Sequence, residues 1–127
     1  MIIGIGTDIV EIARIEKMLA NHPQSFPERL LTEFELKDFA TKKFPEKFLA
    51  KRWAIKEAIS KALGTGIAKG VSFTDMEVSH TELGAPVLRL TGRSKKRADE
   101  LGIQNWQISV SDEQHYCVAF ALAQDSF

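Results

Sequence analysis

The stretch from Phe48 to Gly66, FLAKRWAIKEAISKALGTG, constrains the fold more than any other. Phe48, Ile55, Ile59, Ala62 and Leu63 recur at helical spacing, so the stretch reads as one long helix with that stripe turned to the core. Pro45 opens it, with the first helical residues near Glu46 or Lys47, and Leu63-Gly64-Thr65-Gly66 stops it, with Gly64 placed for a left-handed cap. The side around Glu57 is short of charge. It carries Ala50, Trp53 and Ala54 before Glu57, and Ser60 and Lys61 after it. Two readings follow. Glu57 and Lys61 form an exposed i,i+4 ion pair worth about 0.2–0.5 kcal/mol, or they line a groove of small residues where a ligand approaches the backbone.

Toward the N-terminus, Ile2 to Gly6 is an apolar run with two glycines and reads as a buried strand with Asp8 at its end. A carboxylate there must be paired or bind a cation to offset its desolvation; the alternative is that Thr7 or Asp8 caps the next helix. That helix covers Val10 to Ala20, with Ile12, Ile15 and Leu19 inward and Arg14 and Met18 one turn apart on another face. An exposed methionine beside an arginine suits a protein-docking surface, although ordinary surface is the alternative. Asn21 to Pro27 reads as a loop, and Pro27 to Leu31 and Thr32 to Phe44 as short helices, with Thr32 and Glu35 matching a capping box.

Beyond Gly70 the pattern turns to strands at Val71 to Ser79, Val87 to Leu90, Trp106 to Ser111 and Tyr116 to Ala123. Glu82 to Pro86 is a turn, Lys95 to Leu101 a short helix, and Asp112-Glu113-Gln114-His115 a hairpin signal. The expectation is an α+β fold in one domain, residues 1–127. N-terminal helices and one long central helix pack on an antiparallel sheet.

Seventeen basic and seventeen acidic residues cancel, which argues against a wide nucleic-acid face. Between Lys42 and Lys61, however, seven basic residues stand against Glu46 and Glu57 alone, a local excess of five. This is either a solvated helix flank or a compact anion site suited to phosphate. Cys117 is the single cysteine, so neither an intrachain disulfide nor a cysteine-rich zinc site forms. With no leader and no long apolar run, the expected setting is cytoplasmic, away from the membrane. His22, His80 and His115 assemble neither a zinc site nor a serine triad. Two carboxylates from separate elements, Asp8 and Glu57, with lysines and a glycine-rich turn favour magnesium-dependent phosphoryl chemistry.

GIGTDIVEIARIE at 4–16 and FLAKRWAIKEAISKALGTGI at 48–67 resemble the two signature blocks of holo-[acyl-carrier-protein] synthase, the short bacterial type of phosphopantetheinyl transferase. The similarity extends to RLLTEFEL at 29–36, SFTDMEV at 72–78 and ELGAPVL at 82–88. The resemblance implies transfer of 4'-phosphopantetheine from coenzyme A to a serine of apo acyl carrier protein, in fatty acid biosynthesis, releasing adenosine 3',5'-bisphosphate. It implies Mg2+ at Asp8 and Glu57, and Lys61 on the coenzyme A phosphates. Phe48, Arg52, Gly64 and Gly66 fall in the coenzyme A cleft, with Gly84 and Pro86 near the adenosine from a neighbouring subunit. Arg14 docks the acidic carrier protein, with Met18 beside it, and the family is homotrimeric. The serine proton goes to Glu57 or to a water on the metal. The chain departs from the family pattern at Val110-Ser111-Asp112-Glu113, where many relatives carry Ser-His-Thr. Two other classes share parts of this pattern. A non-catalytic carrier-protein partner would not need Asp8 and Glu57, and a magnesium-dependent nucleotide phosphatase would use water as nucleophile.

Overall fold

The structure is a computed structural model and describes residues 1–126. The chain runs β1 (Ile2–Glu11), α1 (Ile12–Asn21), α2 (Ser25–Leu30), α3 (Glu33–Phe39), α4 (Pro45–Ala62), a 3-10 turn (Phe73–Asp75), β2 (Met76–His80), β3 (Pro86–Leu90), α5 (Gly92–Leu101), β4 (Asn105–Asp112) and β5 (Tyr116–Gln124). The fold is α+β, as expected. The strands form two antiparallel sheets, β1-β5-β4 and β2-β3, and α4 lies across one face of the larger.

Small residues decide how closely α4 meets that sheet. Gly4, Gly6, Asp8 and Val10 alternate onto the helix side of β1, and Cys117, Ala119, Ala121 and Ala123 do so on β5. A Cβ on Gly6 would stand 1.9 Å from the Ala58 carbonyl oxygen, and one on Gly4 2.2 Å from that of Ala62. Strand backbone therefore rests directly on helix backbone, an approach open only to glycine. Burial pushes the Cys117 thiol up to about 11, so it serves as a small core residue.

The long helix spans Pro45–Ala62, and Gly64 follows at φ +80° as the stop signal requires. Phe48, Ile55, Ile59, Ala62 and Leu63 are all buried, but so are Leu49, Ala50, Ala54 and Ala58. The helix is enclosed by the sheet on one side and by α1, α2 and α3 elsewhere, which is why its charge-poor side is charge-poor. The Thr32–Glu35 capping box forms in both directions.

Several expectations are corrected. β1 runs on to Glu11, so Asp8 stands mid-strand opposite Ala119, and Ile2, Ile5 and Ile9 are exposed on its other side. Neither Thr7 nor Asp8 caps α1; Glu11 occupies that position without a side-chain cap. Strand β2 is confined to Met76–His80, because Phe73–Asp75 coils as a 3-10 turn. Helix α2 starts at Ser25, inside the expected loop, and α5 starts at Gly92, ahead of Lys95. The strand expected at Ile2 to Gly6 is present within β1, and it pairs along β5.

Candidate active site

The glycine contacts bring the two carboxylates together. Gly4 meets Ala62 and Gly6 meets Ala58, so strand and helix run antiparallel, and the next residue on that face is Asp8. Two strand residues advance about 6.6 Å against about 5.4 Å for a helical turn, which keeps the two elements in step. Asp8 thus arrives beside Glu57 and Lys61. Lys61 Nζ donates to Asp8 Oδ1 at 3.2 Å and to the Thr7 carbonyl at 2.8 Å. The i,i+4 pair of Glu57 with Lys61 is not among the ion pairs within 4.0 Å in the described residues, because Lys61 reaches across to the strand instead.

Asp8 Oδ2 is buried and has no hydrogen-bond partner. An orphaned carboxylate oxygen is costly, and natural structures keep such groups rare. Burial raises the Asp8 pKa against the lowering effect of Lys61 and Arg14. Burial also raises that of Glu57, and the Asp8 charge adds to it. Two neighbouring carboxylates, both pushed up by burial and Glu57 also by the Asp8 charge, with one lone-pair site left open, fit a hard divalent cation.

Arg14 lies with its guanidinium 5.6 Å from the centroid of Trp53, itself one turn before Glu57, and its charge bears on both carboxylates. Met18 is half-buried against the core, where the sequence led us to expect an exposed methionine.

The basic run divides into two environments. Lys42, Lys43, Lys47, Lys51 and Arg52 line a cavity of about 320 Å³ with Phe44, Phe48, Asp38 and His80. Arg52 packs its guanidinium 4.5 Å from the Phe48 centroid, and burial, followed by the Arg52 charge, lowers the His80 pKa. This cavity has the cation density of an anion site.

Lys56 belongs elsewhere, with no exposed surface at all. Its Nζ donates to Glu35 Oε1 at 2.6 Å and to the carbonyls of Leu30 and Phe73. Arg52 Nε donates to Glu35 Oε2 at 3.0 Å and the Val78 amide to the same oxygen. Burial lowers the Lys56 pKa and the Glu35 carboxylate opposes that shift. The sequence reading recognised Glu35 only as a capping residue; the i,i+4 spacing of Arg52 and Lys56 on a buried helix was the available signal.

Gly64 and Gly66 follow the C-terminus of α4 with φ of +80° and +64°. Gly84 lies in the exposed turn between β2 and β3, with Pro86 at the start of β3, on the smaller sheet.

A family model described as the 4'-phosphopantetheinyl transferase superfamily matches residues 4–121. A holo-[acyl-carrier-protein] synthase from Hydrogenovibrio crunogenus is 56% identical over 124 residues, covering 98% of both chains. The chain belongs to the holo-[acyl-carrier-protein] synthase family.

As a member of that family it is an enzyme, a phosphopantetheinyl transferase. The crystal structure of the synthase from Neisseria meningitidis superposes with a TM-score of 0.92 at 42% identity, covering 98% of this chain and 99% of that one. A synthase from Bacillus anthracis, in complex with CoA (3',5'-ADP), superposes with a TM-score of 0.85 at 40% identity, covering 99% of each. Asp112, where the chain departs from the pattern that the resemblance led us to expect, stands at the end of β4 and pairs with Lys51 of α4 at 3.3 Å. No helix among the described residues is long and apolar enough to cross a membrane.

Proposed function

We propose that the enzyme transfers 4'-phosphopantetheine from coenzyme A to a serine hydroxyl of apo acyl carrier protein. The reaction depends on magnesium, releases adenosine 3',5'-bisphosphate and serves fatty acid biosynthesis in the cytoplasm. The observation that carries this reading is the Asp8–Glu57–Lys61 group, with its open carboxylate oxygen, in a chain of this family. The relatives' name specifies the carrier protein, and the Bacillus anthracis synthase is in complex with CoA (3',5'-ADP).

Asp8 and Glu57 would hold Mg2+, which supplies positive charge against the diphosphate when bound. The chain's own residues do the rest. The serine oxygen forms its bond to the phosphorus bearing pantetheine, and the bond from that phosphorus to the bridging oxygen breaks, leaving the bisphosphate. Lys61, half-exposed and already at the carboxylates, meets the charge that grows on the departing oxygen. Glu57, placed at the reacting centre, accepts the serine proton at a carboxylate oxygen. Phe48, Arg52 and the lysines of the 320 Å³ cavity take the phosphorylated adenosine end, and Gly64 and Gly66 border the cleft beyond Lys61. Arg14 docks an acidic carrier protein at the edge of the site, with Met18 behind it.

The outer face of the larger sheet exposes Ile5, Ile9, Tyr116 and Phe120 together, and apolar side chains gathered on one face are a feature of protein contact surfaces. This supports a homotrimer in which Gly84 and Pro86 of one subunit reach the coenzyme A of the next. The test is to mix the protein with coenzyme A, magnesium and apo carrier protein and to weigh the carrier protein. A gain of one phosphopantetheine is expected. Consumption of coenzyme A with an unmodified carrier protein would replace the transferase by a phosphatase. Light scattering of the same sample should show a trimer, and a fully active monomer would remove that part.

A further inference from the structure

Beyond the C-terminus of α4 lies a second cavity, of about 200 Å³, which shares Gly64 with the cleft but whose basic side chains none of the roles above uses. It is lined by Lys69, Arg93, Lys96 and Arg97, with Glu100 as its single acid and Gly64 and Thr65 at its inner edge. Gly64 is seven residues past Glu57, so the cavity sits about 10 Å farther along the helix axis than the catalytic carboxylate.

Three of its cations lack an acidic partner. Among the described residues, Lys69, Arg93 and Lys96 make no ion pair within 4.0 Å, whereas neighbouring Lys95 pairs with Asp99. Arg97 is held in place: its Nε donates to the Leu63 carbonyl at 3.0 Å, and Glu100 stands 3.9 Å from its Nη1. The local backbone is built around this gathering. Gly70 leaves room for Arg93, whose Cγ and Nε would stand 3.0 and 3.1 Å from a Cβ at that position. Lys69 has a left-handed backbone, φ 56°, and is the one non-glycine residue among those described to do so. A lysine held in that strained region, when glycine would fit without strain, points to a constraint other than folding.

We propose that this cavity is a second anion site, which takes a small phosphate or diphosphate ligand. Guanidinium groups meet phosphate oxygens in bidentate fashion, and lysines add charge without demanding geometry. The volume falls below the roughly 300–1,000 Å³ usual for cofactor pockets, which favours a compact oxyanion over a nucleotide. The site is separate from the 320 Å³ cavity at the other end of α4, and its occupancy does not depend on the transferase reading.

Inorganic pyrophosphate is the probe, titrated into the full-length protein without magnesium or coenzyme A and followed by amide NMR. Saturable shifts are expected in residues 64–71 and 93–100, weakening as salt rises. Replacing both Arg93→Ala and Lys96→Ala, exposed side chains whose loss leaves the circular dichroism unchanged, should weaken the affinity at these amides about tenfold or more. Lys69→Gly should raise Tm, by relieving the strained backbone, and weaken pyrophosphate binding together. Shifts confined to residues 42–52 would overturn the proposal, as would Lys69→Gly gaining Tm at unchanged affinity. A double variant that binds pyrophosphate normally but shows a raised KM for the carrier protein would make this face a protein contact and sink the anion site.

Discussion

Glu35 and Asp8 are both carboxylates drawn out of water. Glu35 opens α3 and has every direction answered: Arg52 and the Val78 amide on one oxygen, Lys56 and the Thr32 amide on the other. Asp8 stands in the middle of β1 with Lys61 on one oxygen and nothing on the other. The first arrangement joins α3, α4 and β2 and leaves no capacity for a ligand. The second spends stability to keep a lone pair available, an imbalance that marks sites of chemistry. The lysines repeat the contrast. Lys56 is locked to three oxygens, while Lys61 is half-exposed and able to turn from Asp8 to a phosphate.

Breaking the saturated carboxylate should give the largest change. Glu35→Ala leaves Lys56 and Arg52 buried without their counter-charge and should cost about 3–5 kcal/mol, read as a large loss of denaturation midpoint. A midpoint near that of the unaltered protein would show that Glu35 is not the structural charge described here. Gly6→Ala comes next. Its methyl group meets the Ala58 carbonyl, so α4 must lift from β1 at about 1–3 kcal/mol. Because the same contact sets the Asp8–Glu57 spacing, transfer should fall further than the lost stability explains; an active, fully stable variant would break the link between the glycines and the site.

Arg14→Glu tests the edge of the open site. It should lower kcat/KM for the carrier protein about tenfold or more, roughly 1.4 kcal/mol, with coenzyme A affinity nearly unchanged and the loss shrinking as salt rises. Equal losses for both substrates would place Arg14 among the reacting groups, as its stacking beside Glu57 permits. The smallest effect is expected for the stability of Asp8→Asn. In the metal-free protein Asp8 and Glu57 have pKa values raised above 3.8 and 4.5, so the folded state holds their protons more tightly than the unfolded chain does. Their ionisation therefore penalises folding near neutral pH, and the penalty is relieved as pH falls through the raised values. Asp8→Asn should match or exceed the unaltered protein in Tm at neutral pH, within about 0.5 kcal/mol, and that advantage should vanish toward pH 4. An advantage that grew on acidification would reverse the sign of this account.

Helix α4 was legible in the sequence because its period extends over many residues and ends on a glycine the turn requires. The Thr32–Glu35 box was legible because capping is local. Asp8 and Glu57 were picked out, but the reason they meet was not, since the glycine contacts join residues more than fifty positions apart. In IIGIGTDIVE, Ile2, Ile5 and Ile9 are exposed on the outer face while Gly4 and Gly6 occupy the inner one, so much of the apolar character pointed away from the core and the strand was read as buried and short. The basic run was read as one patch because charge in a sequence does not reveal what it faces: Lys56 looks inward to Glu35, Lys51 to Asp112, and Lys42, Lys43 and Lys47 to a cavity. Met18 failed likewise, as helical spacing gives its face but not what covers it.

The central claim is that the Asp8 and Glu57 carboxylates are kept for chemistry and not for the fold. The rate of phosphopantetheine transfer by Asp8→Asn, measured at limiting magnesium where circular dichroism shows the variant fully folded, tests it most directly. Losing a metal ligand removes several kcal/mol of charge stabilisation in the transition state, so the account predicts a fall of roughly a hundredfold or more with the fold intact. Near-normal turnover by the folded variant would contradict it.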